Sequence, residues 1–302
     1  MNIFNKSFYK IYILKIALFT NPDVIENNDN IFSVIKSLIK NKIEFEIDIN
    51  SKISKSALRS ANINYNIKNF VELNDSYDFA ISVGGDGTIL NSAEKIGELS
   101  IPIIGLNTGR LGFLANSSLK NIEMVINRLK NNDFNISNRS MIEVLFNGKK
   151  KYALNEITVS RKNTTSLITI EAKLNNQYLN TYWADGLIVS TPTGSTGYSL
   201  SCGGPIIIPE SKNFVLTPIA PHNLNARPLV ISDDKKVDIS VNGRENEYLI
   251  SIDSNIYSVP INLNIIVQKA LRFLKMVEFD EDSYLKVLRE KLLWGKDKRT
   301  KQ

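Results

Sequence analysis

The 302-residue chain has one cysteine, Cys202, and one histidine, His222. A single thiol excludes an intramolecular disulfide and a cysteine-rich zinc site, and it suits a reducing, cytoplasmic setting. The lone histidine reads as structural, and Gly194-Ser195-Thr196-Gly197 is not the G-x-S-x-G elbow of a serine hydrolase. No stretch approaches the eighteen or so apolar residues of a membrane span. Lys15 interrupts the apolar Ile11 to Leu14 segment and no small-residue cleavage site follows, which argues against a signal peptide. The net charge of +6 is spread along a chain rich in Lys, Asn and Ile, with a basic tail at 296–301 that reads as solvated surface. Without a nucleic-acid-binding module beside it, that charge implies neither a nucleic-acid nor a membrane partner.

The most informative feature present is Gly84-Gly85-Asp86-Gly87-Thr88, set between the apolar run Phe79 to Val83 and the helix-like Ile89 to Ala93. A strand, a glycine-dense turn and a helix start make a place where backbone N–H groups meet phosphate oxygens. It is not a Walker loop, because the first lysine after it is Lys95, and not a dinucleotide fingerprint, because Leu90 stands where the third glycine belongs. The acid is the unusual member. In a phosphate loop a carboxylate repels the ligand unless it binds a metal, orients a hydroxyl or takes its proton, so the loop points to phosphoryl transfer onto an alcohol.

Around this loop the first part of the chain alternates strand and helix signals. Strands are expected at 13–19, 43–49, 79–83 and 101–106, and helices over 31–38, capped within 28–30, and over 119–130. That grammar predicts a parallel α/β sheet with ligands at the carboxyl ends of its strands. Beyond about residue 133 short β-type runs recur at 141–146, 152–161, 166–174, 186–190, 214–219, 236–241, 247–252 and 263–268, the pattern of an all-β domain. A final helix behind Asp282 or Ser283 carries the apolar stripe Tyr284, Leu285, Leu288 and Leu292 and is expected to return to the first domain. The division is thus an extension over 1–14, an α/β domain over 15–133 completed by 276–302, and an all-β domain over 134–275.

Two further stretches lie in the β part. Thr191-Pro192-Thr193-Gly194-Ser195-Thr196-Gly197-Tyr198-Ser199-Leu200-Ser201, behind the apolar run that follows Asp185, has the density of hydroxyls and amides that suits a nucleotide. Asn155-Glu156 sets a carboxamide beside a carboxylate.

Together, in this order and spacing, Gly84 to Thr88, Asn155-Glu156 and Thr191 to Tyr198 resemble the signature set of the NAD kinases. Asn107 to Phe113, Gly203-Gly204-Pro205, Pro221 to Leu224, Arg227 to Val230 and Leu288 to Leu292 match as well, so the resemblance runs from about Lys15 to Gly295. Diacylglycerol-type lipid kinases share the first motif, but Asn155-Glu156 joined to the 191–198 stretch separates this chain from them. A non-enzymatic NAD sensor on the same scaffold would have no need of Asp86.

The resemblance implies a cytoplasmic enzyme that transfers the γ-phosphoryl of ATP, with Mg²⁺ or another divalent cation, to the adenosine-ribose 2′-hydroxyl of NAD. It implies an α/β domain and a β-sandwich domain with the site between them, assembly as a homodimer or homotetramer, and polyphosphate as an alternative donor to test. Carried over by position, Asp86 is the proton acceptor with Gly87 against the ribose. Asn155 and Glu156 hold the adenosine ribose, Thr196, Gly197, Tyr198, Ser199, Leu200 and Ser201 line the pocket, and Asp185, Ala220 and Asn255 complete the NAD site. This sequence departs from the family at Gly197, where Ala is common, and at Asn255, where a Gln is common.

Overall fold

The structure, a computed structural model, describes residues 14–21, 29–51, 53–109, 111–115, 117–163, 166–280 and 283–295. Most of the N-terminal extension, the basic tail, Asn28, Arg110 and Asp282 lie outside these residues.

The first part contains β1 (Lys15–Thr20), α1 (Asp29–Lys40), β2 (Glu44–Asp48), α2 (Lys55–Ser60), β3 (Lys68–Phe70), β4 (Phe79–Val83), α3 (Asp86–Ile96), β5 (Ile103–Asn107), β6 (Ser117–Ser118) and α4 (Ile122–Lys130). Its strands pair parallel in the order β3-β2-β1-β4-β5. The strands are apolar on both sides because both faces are covered. Ile16 and Leu18 pack with Ile31 and Ile35 of α1 and Val125 of α4. Ala17 and Phe19 face Ile89, Ala93 and Ile96 of α3. Strand order reverses between β1 and β4, and Gly84 leaves the carboxyl end of β4 beside that switch point, where such sheets open a crevice.

The second part contains β7 (Asn135–Phe146), β8 (Lys149–Ala153), β9 (Glu156–Arg161), β10 (Ile168–Leu174), β11 (Gln177–Ala184), β12 (Gly186–Ser190), α5 (Tyr198–Ser201) and β13 (Asn213–Ile219). It continues through β14 (Leu229–Ser232), β15 (Val237–Asn242), β16 (Glu247–Ile252), β17 (Asn255–Pro260), β18 (Ile265–Glu278) and α6 (Tyr284–Leu292). Among the described residues a six-stranded sheet, β14-β13-β12-β9-β16-β17, is antiparallel throughout. It packs its apolar face, Ile157, Val159, Leu187 and Val189, against Ile170, Ala172, Ile239 and Val267 of the facing sheet. This is a β-sandwich, as expected.

The facing sheet does not stop at the sandwich. The long strand β18 pairs with β7 and β15, and near its end Met276 joins Ile103 of β5 in parallel. Both halves of the molecule therefore share one twelve-stranded sheet. At the far end α6 is capped by Ser283, whose hydroxyl accepts the Lys286 N–H, and it buries Val287 and Leu288. Its Lys291 ammonium lies 5.1 Å from the centre of the Phe113 ring, so the last helix does return to the first half. Among the described residues no helix is long and apolar enough to cross a membrane.

Two expectations on strands need correction. The run 152–161 is two strands in two different sheets, β8 pairing with β7 and β9 with β12 and β16, and the chain crosses between the sheets at Leu154-Asn155. The run 263–268 is the start of a strand that continues to Glu278, with a register shift between Lys269 and Phe273 and a fully exposed Leu271 that obscure its alternation.

Candidate active site

The glycine turn is shaped by contacts that leave no choice of residue at two positions. A Cβ on Gly84 would lie 2.3 Å from the Thr88 hydroxyl oxygen, and one on Gly112 would lie 2.0 Å from Oδ1 of Asp86. Gly85 and Gly87 are different: among the described residues, chain neighbours and the helix's own backbone apart, no atom lies within 4 Å of a Cβ built on either, so packing against the rest of the protein does not explain them.

Asp86 is the first residue of α3, where the helix dipole favours an anion. Its carboxylate is held by three consecutive backbone amides. Oδ2 accepts from Phe113 at 2.9 Å, and Oδ1 accepts from Leu114 and Ala115 at 3.0 Å each. An ionised carboxylate has about four acceptor positions, so this arrangement fixes the group yet leaves one position on Oδ2 for a hydroxyl. Lys95 does not serve the loop; its ammonium is bound by both Asp48 oxygens at 2.5 and 2.6 Å.

Leu154 belongs to the same buried cluster as Ile89, Ala93, Leu114 and Ala115, which brings the Asn155-Glu156 turn against the Asp86 helix and its loop. Thr191 fixes the turn from the other side, its hydroxyl donating to the Leu154 carbonyl at 2.6 Å and its N–H to the Asn155 carbonyl at 2.8 Å. Gly194 rests directly on the Asn155 backbone, where a Cβ would meet the carbonyl oxygen at 2.1 Å. A Cβ on Gly197 would come 3.0 Å from Oε2 of Glu156, so a side chain there would need the carboxylate to give by a few tenths of an ångström.

Three polar atoms at this point are buried and lack a hydrogen-bond partner among the described residues: Asn155 Oδ1, Glu156 Oε2 and Thr193 Oγ1. Withdrawal from water and the nearby Asp253 charge push the Glu156 carboxyl up to about 7, against the Tyr198 N–H, which favours its ionised form. Buried polar atoms left unpaired are costly, so these three mark a stretch whose hydrogen bonding is incomplete in the protein alone.

Asp253 is the residue that sequence reasoning missed. It sits in the turn between β16 and β17 with φ 47°, and its carboxylate accepts from the N–H groups of Leu154 at 2.8 Å, Asn155 at 2.9 Å and Glu156 at 3.1 Å. Burial, with help from Glu94, pushes its carboxyl up to about 6 despite those three donors. The sequence signalled only a polar turn there. Two residues on, Asn255 donates its amide to Glu94 of α3 at 3.0 Å.

The remaining candidates divide. Thr196 and Gly197 lie at the Glu156 side, the Thr196 hydroxyl donating to the Thr193 carbonyl at 3.2 Å. Ser199 faces away, fully buried and bonded to the Thr217 hydroxyl at 2.8 Å, while Tyr198 and Ser201 are exposed and Leu200 half-buried. Asp185 and Ala220 are together but distant from Glu156. The Asp185 N–H donates to the Ile219 carbonyl, and its carboxylate meets the Arg161 guanidinium at 3.0 Å. In the β9–β12 ladder Gly186 stands opposite Ser160, whereas Glu156 stands opposite Ser190 at the other end. The 193–201 segment spans between these two groups, and Asp185 still reaches Tyr198 electrostatically. Gly87 is exposed at the mouth of the loop.

Comparison with known proteins agrees with this geometry. Residues 16–134 match the ATP-NAD kinase N-terminal domain and residues 154–279 the ATP-NAD kinase C-terminal domain. The NAD kinase of Flavobacterium johnsoniae is 52% identical over 233 residues, 75% of this chain and 79% of that protein. In fold the chain is similar to yeast NADH kinase, solved with NADH, at a TM-score of 0.84 and 21% identity, covering 97% of this chain and 91% of that one. It is also similar to an NAD kinase from Archaeoglobus fulgidus, solved with ATP, at a TM-score of 0.72 and 24% identity, covering 91% and 99%.

Proposed function

The chain belongs to the ATP-NAD kinase family, phosphotransferases that use ATP to convert NAD to NADP, and we propose how its own residues divide that work. Asp86 orients the adenosine-ribose 2′-hydroxyl through the acceptor position left on Oδ2 and takes its proton as the γ-phosphoryl arrives. A ribose hydroxyl is a poor nucleophile, so a carboxylate fixed within hydrogen-bond reach supplies both aim and base. Three amides hold that carboxylate still, which keeps its reorganisation small during transfer. Gly85 and Gly87 leave the backbone open for the ribose and phosphates.

The observation that carries the binding assignment is the trio of buried unpaired atoms on Asn155, Glu156 and Thr193. The adenosine moiety supplies their donors. Thr196, Gly197 and Tyr198 lead from there toward Asp185 and Ala220, a span that suits the second nucleotide of NAD, with Ser199, Leu200 and Ser201 supporting the wall. Asn255, held by Glu94, serves the site through α3 more readily than by direct contact.

Among the described residues no cluster of three or more His, Cys, Asp or Glu side chains could hold a metal ion. A protein-built cation site does not fit this loop, whose one carboxylate has three of its acceptor positions taken by amides. The divalent cation is therefore assigned to the triphosphate of ATP, the usual way Mg²⁺ enters such sites. Exposed Trp183 beside Asp185, and Leu224 next to the Asn223 that bonds the Trp183 N–H, suit a subunit contact, consistent with a homodimer or homotetramer, and the cytoplasm is the compartment proposed. The domain division at about 133 and 275 is kept as a functional one, since β18 runs through the second boundary.

The direct test is NADP formation from NAD with ATP and Mg²⁺, run beside diacylglycerol as acceptor and polyphosphate as donor. NADP is expected with ATP; lipid phosphorylation without NADP would overturn the assignment. Activity lost on dilution would support the oligomer, and a fully active monomer in sedimentation would exclude it.

A further inference from the structure

Asn155 and Glu156 stand at an awkward place in the chain. Residue 153 ends a strand of one sheet and residue 156 begins a strand of the other, so no ladder runs through the amides between them. Backbone N–H groups at such a crossing need partners of their own. One side chain supplies a partner for the two amides in between, of Leu154 and Asn155, and for the Glu156 amide that begins the next strand.

We propose that Asp253 is a positioning residue for NAD, holding the Leu154-Asn155-Glu156 backbone so that the Asn155 and Glu156 side chains present their acceptors to the adenosine ribose. Its two carboxylate oxygens accept the three consecutive amides at 2.8, 2.9 and 3.1 Å, and its own N–H returns a bond to the Glu156 carbonyl at 3.0 Å. Four bonds from one residue fix the turn at both its donors and its last carbonyl. The residue that makes them is itself held in the left-handed region, φ 47°, which Asp tolerates better than most side chains. The Ser251 hydroxyl secures its carbonyl at 3.1 Å.

An ordinary turn residue would not need this geometry. The β16–β17 hairpin is already closed by the pairing of Ile252 with Asn255, and the Asp253 side chain points off the hairpin onto a neighbouring segment. A carboxylate suits the task better than a carboxamide, because Asn would turn an NH₂ group toward one of the three donors and lose that bond. The proposal rests on the assignment of Asn155 and Glu156 to NAD.

The test compares Asp253→Asn, Glu156→Gln and the double variant by calorimetric titration with NAD without ATP, by steady-state KM for NAD and ATP, and by hydrogen exchange of the wild-type amides. Asp253→Asn is expected to weaken NAD binding about five- to a hundredfold, the range for a buried donor left unpaired. KM for ATP should move less than about twofold. Because both residues act on one contact, the double variant should bind less weakly than the product of the single effects. In the wild type the amides of residues 154–156 should exchange far more slowly than those of the exposed 243–245 turn, a measurement that stands even if the variant does not fold.

NAD binding of Asp253→Asn within twofold of wild type, equal shifts in both KM values, effects that multiply in the double variant, or fast exchange at 154–156 would each overturn the proposal. An unchanged NAD affinity in Glu156→Gln would instead sink the Glu156 assignment, while hydrogen exchange would still report whether Asp253 holds the turn.

Discussion

Asp86 and Asp253 use the same device in the two halves of the molecule. Each carboxylate gathers three consecutive backbone amides, 113–115 for Asp86 and 154–156 for Asp253. The surroundings separate them. Asp86 stands at a helix N-terminus beside glycines with open space around them, and its bonds fix the acid itself. Asp253 is enclosed between Glu94 and Glu156, and its bonds fix someone else's side chains. An identical constellation thus serves chemistry where it opens on a ligand and architecture where it does not.

The largest effect should come from breaking the first of these. Asp86→Asn is expected to cut kcat at least about a hundredfold, the lower range for lost acid–base catalysis, while NAD affinity measured by titration moves only a few fold. Asp253→Asn should do the reverse. A folded Asp86→Asn enzyme with near wild-type turnover would show that Asp86 is not the proton acceptor.

Next in size is Gly112→Ala. A Cβ there would displace Oδ1 of Asp86 from its amides without touching the acid's identity. Overpacking of this kind costs roughly 1–3 kcal/mol, read as a lower melting temperature, and kcat should drop about tenfold or more with little change in KM for ATP. Wild-type kcat in this variant would mean that the three amides do not matter for the base.

Titration of the second site sharpens the contrast further. The folded protein raises Glu156 from 4.5 to about 7, chiefly by removing it from water. The native state therefore keeps a proton that the unfolded chain has lost, and stability falls as pH rises from about 4.5 to about 7, then levels off. Melting curves of ligand-free protein should show this decline. Glu156→Gln should make it shallower, leaving the part due to Asp253, whose carboxyl the fold also raises, to about 6, and an unchanged slope would mean that Glu156 is ionised in the fold.

The smallest effect is expected at the link between the two sites. Asn255 and Lys151 both reach Glu94 on the Asp86 helix, at 3.0 and 3.9 Å, but Glu94 is exposed and the other two only half-buried. Asn255→Ala should cost no more than about 1 kcal/mol and leave kcat within about threefold. A loss of NAD affinity beyond tenfold would instead make Asn255 a direct ligand, the role that the family's glutamine suggests.

What could be read from the chain follows the same physics. Glycines at 84, 85 and 87 around an acid are conspicuous because few folds tolerate them there, and the parallel strands β1, β4 and β5 announce themselves as runs buried on both faces. The strands that escaped notice, the two-residue β6 apart, are β3, β11, β14 and β17, and these four lie at sheet edges, where one side meets water and the apolar pattern thins. Asp253 escaped for a different reason. Its partners are backbone amides roughly a hundred residues away, and amides carry no sequence signature.

The strand shared by both halves also orders the birth of the molecule. Ile103 finds its partner Met276 only after roughly 170 further residues, a long closure whose entropic cost must be met before the pairing rewards it. On the ribosome the α/β half emerges first and waits with the Ile103 end of β5, beyond its pairing with β6, uncovered until the sandwich has been made and β18 arrives. An unsatisfied edge of this kind invites pairing with other chains. Premature termination anywhere between the sandwich and Glu278 should therefore yield a fragment that aggregates through its α/β half, although most of that half's sequence is intact.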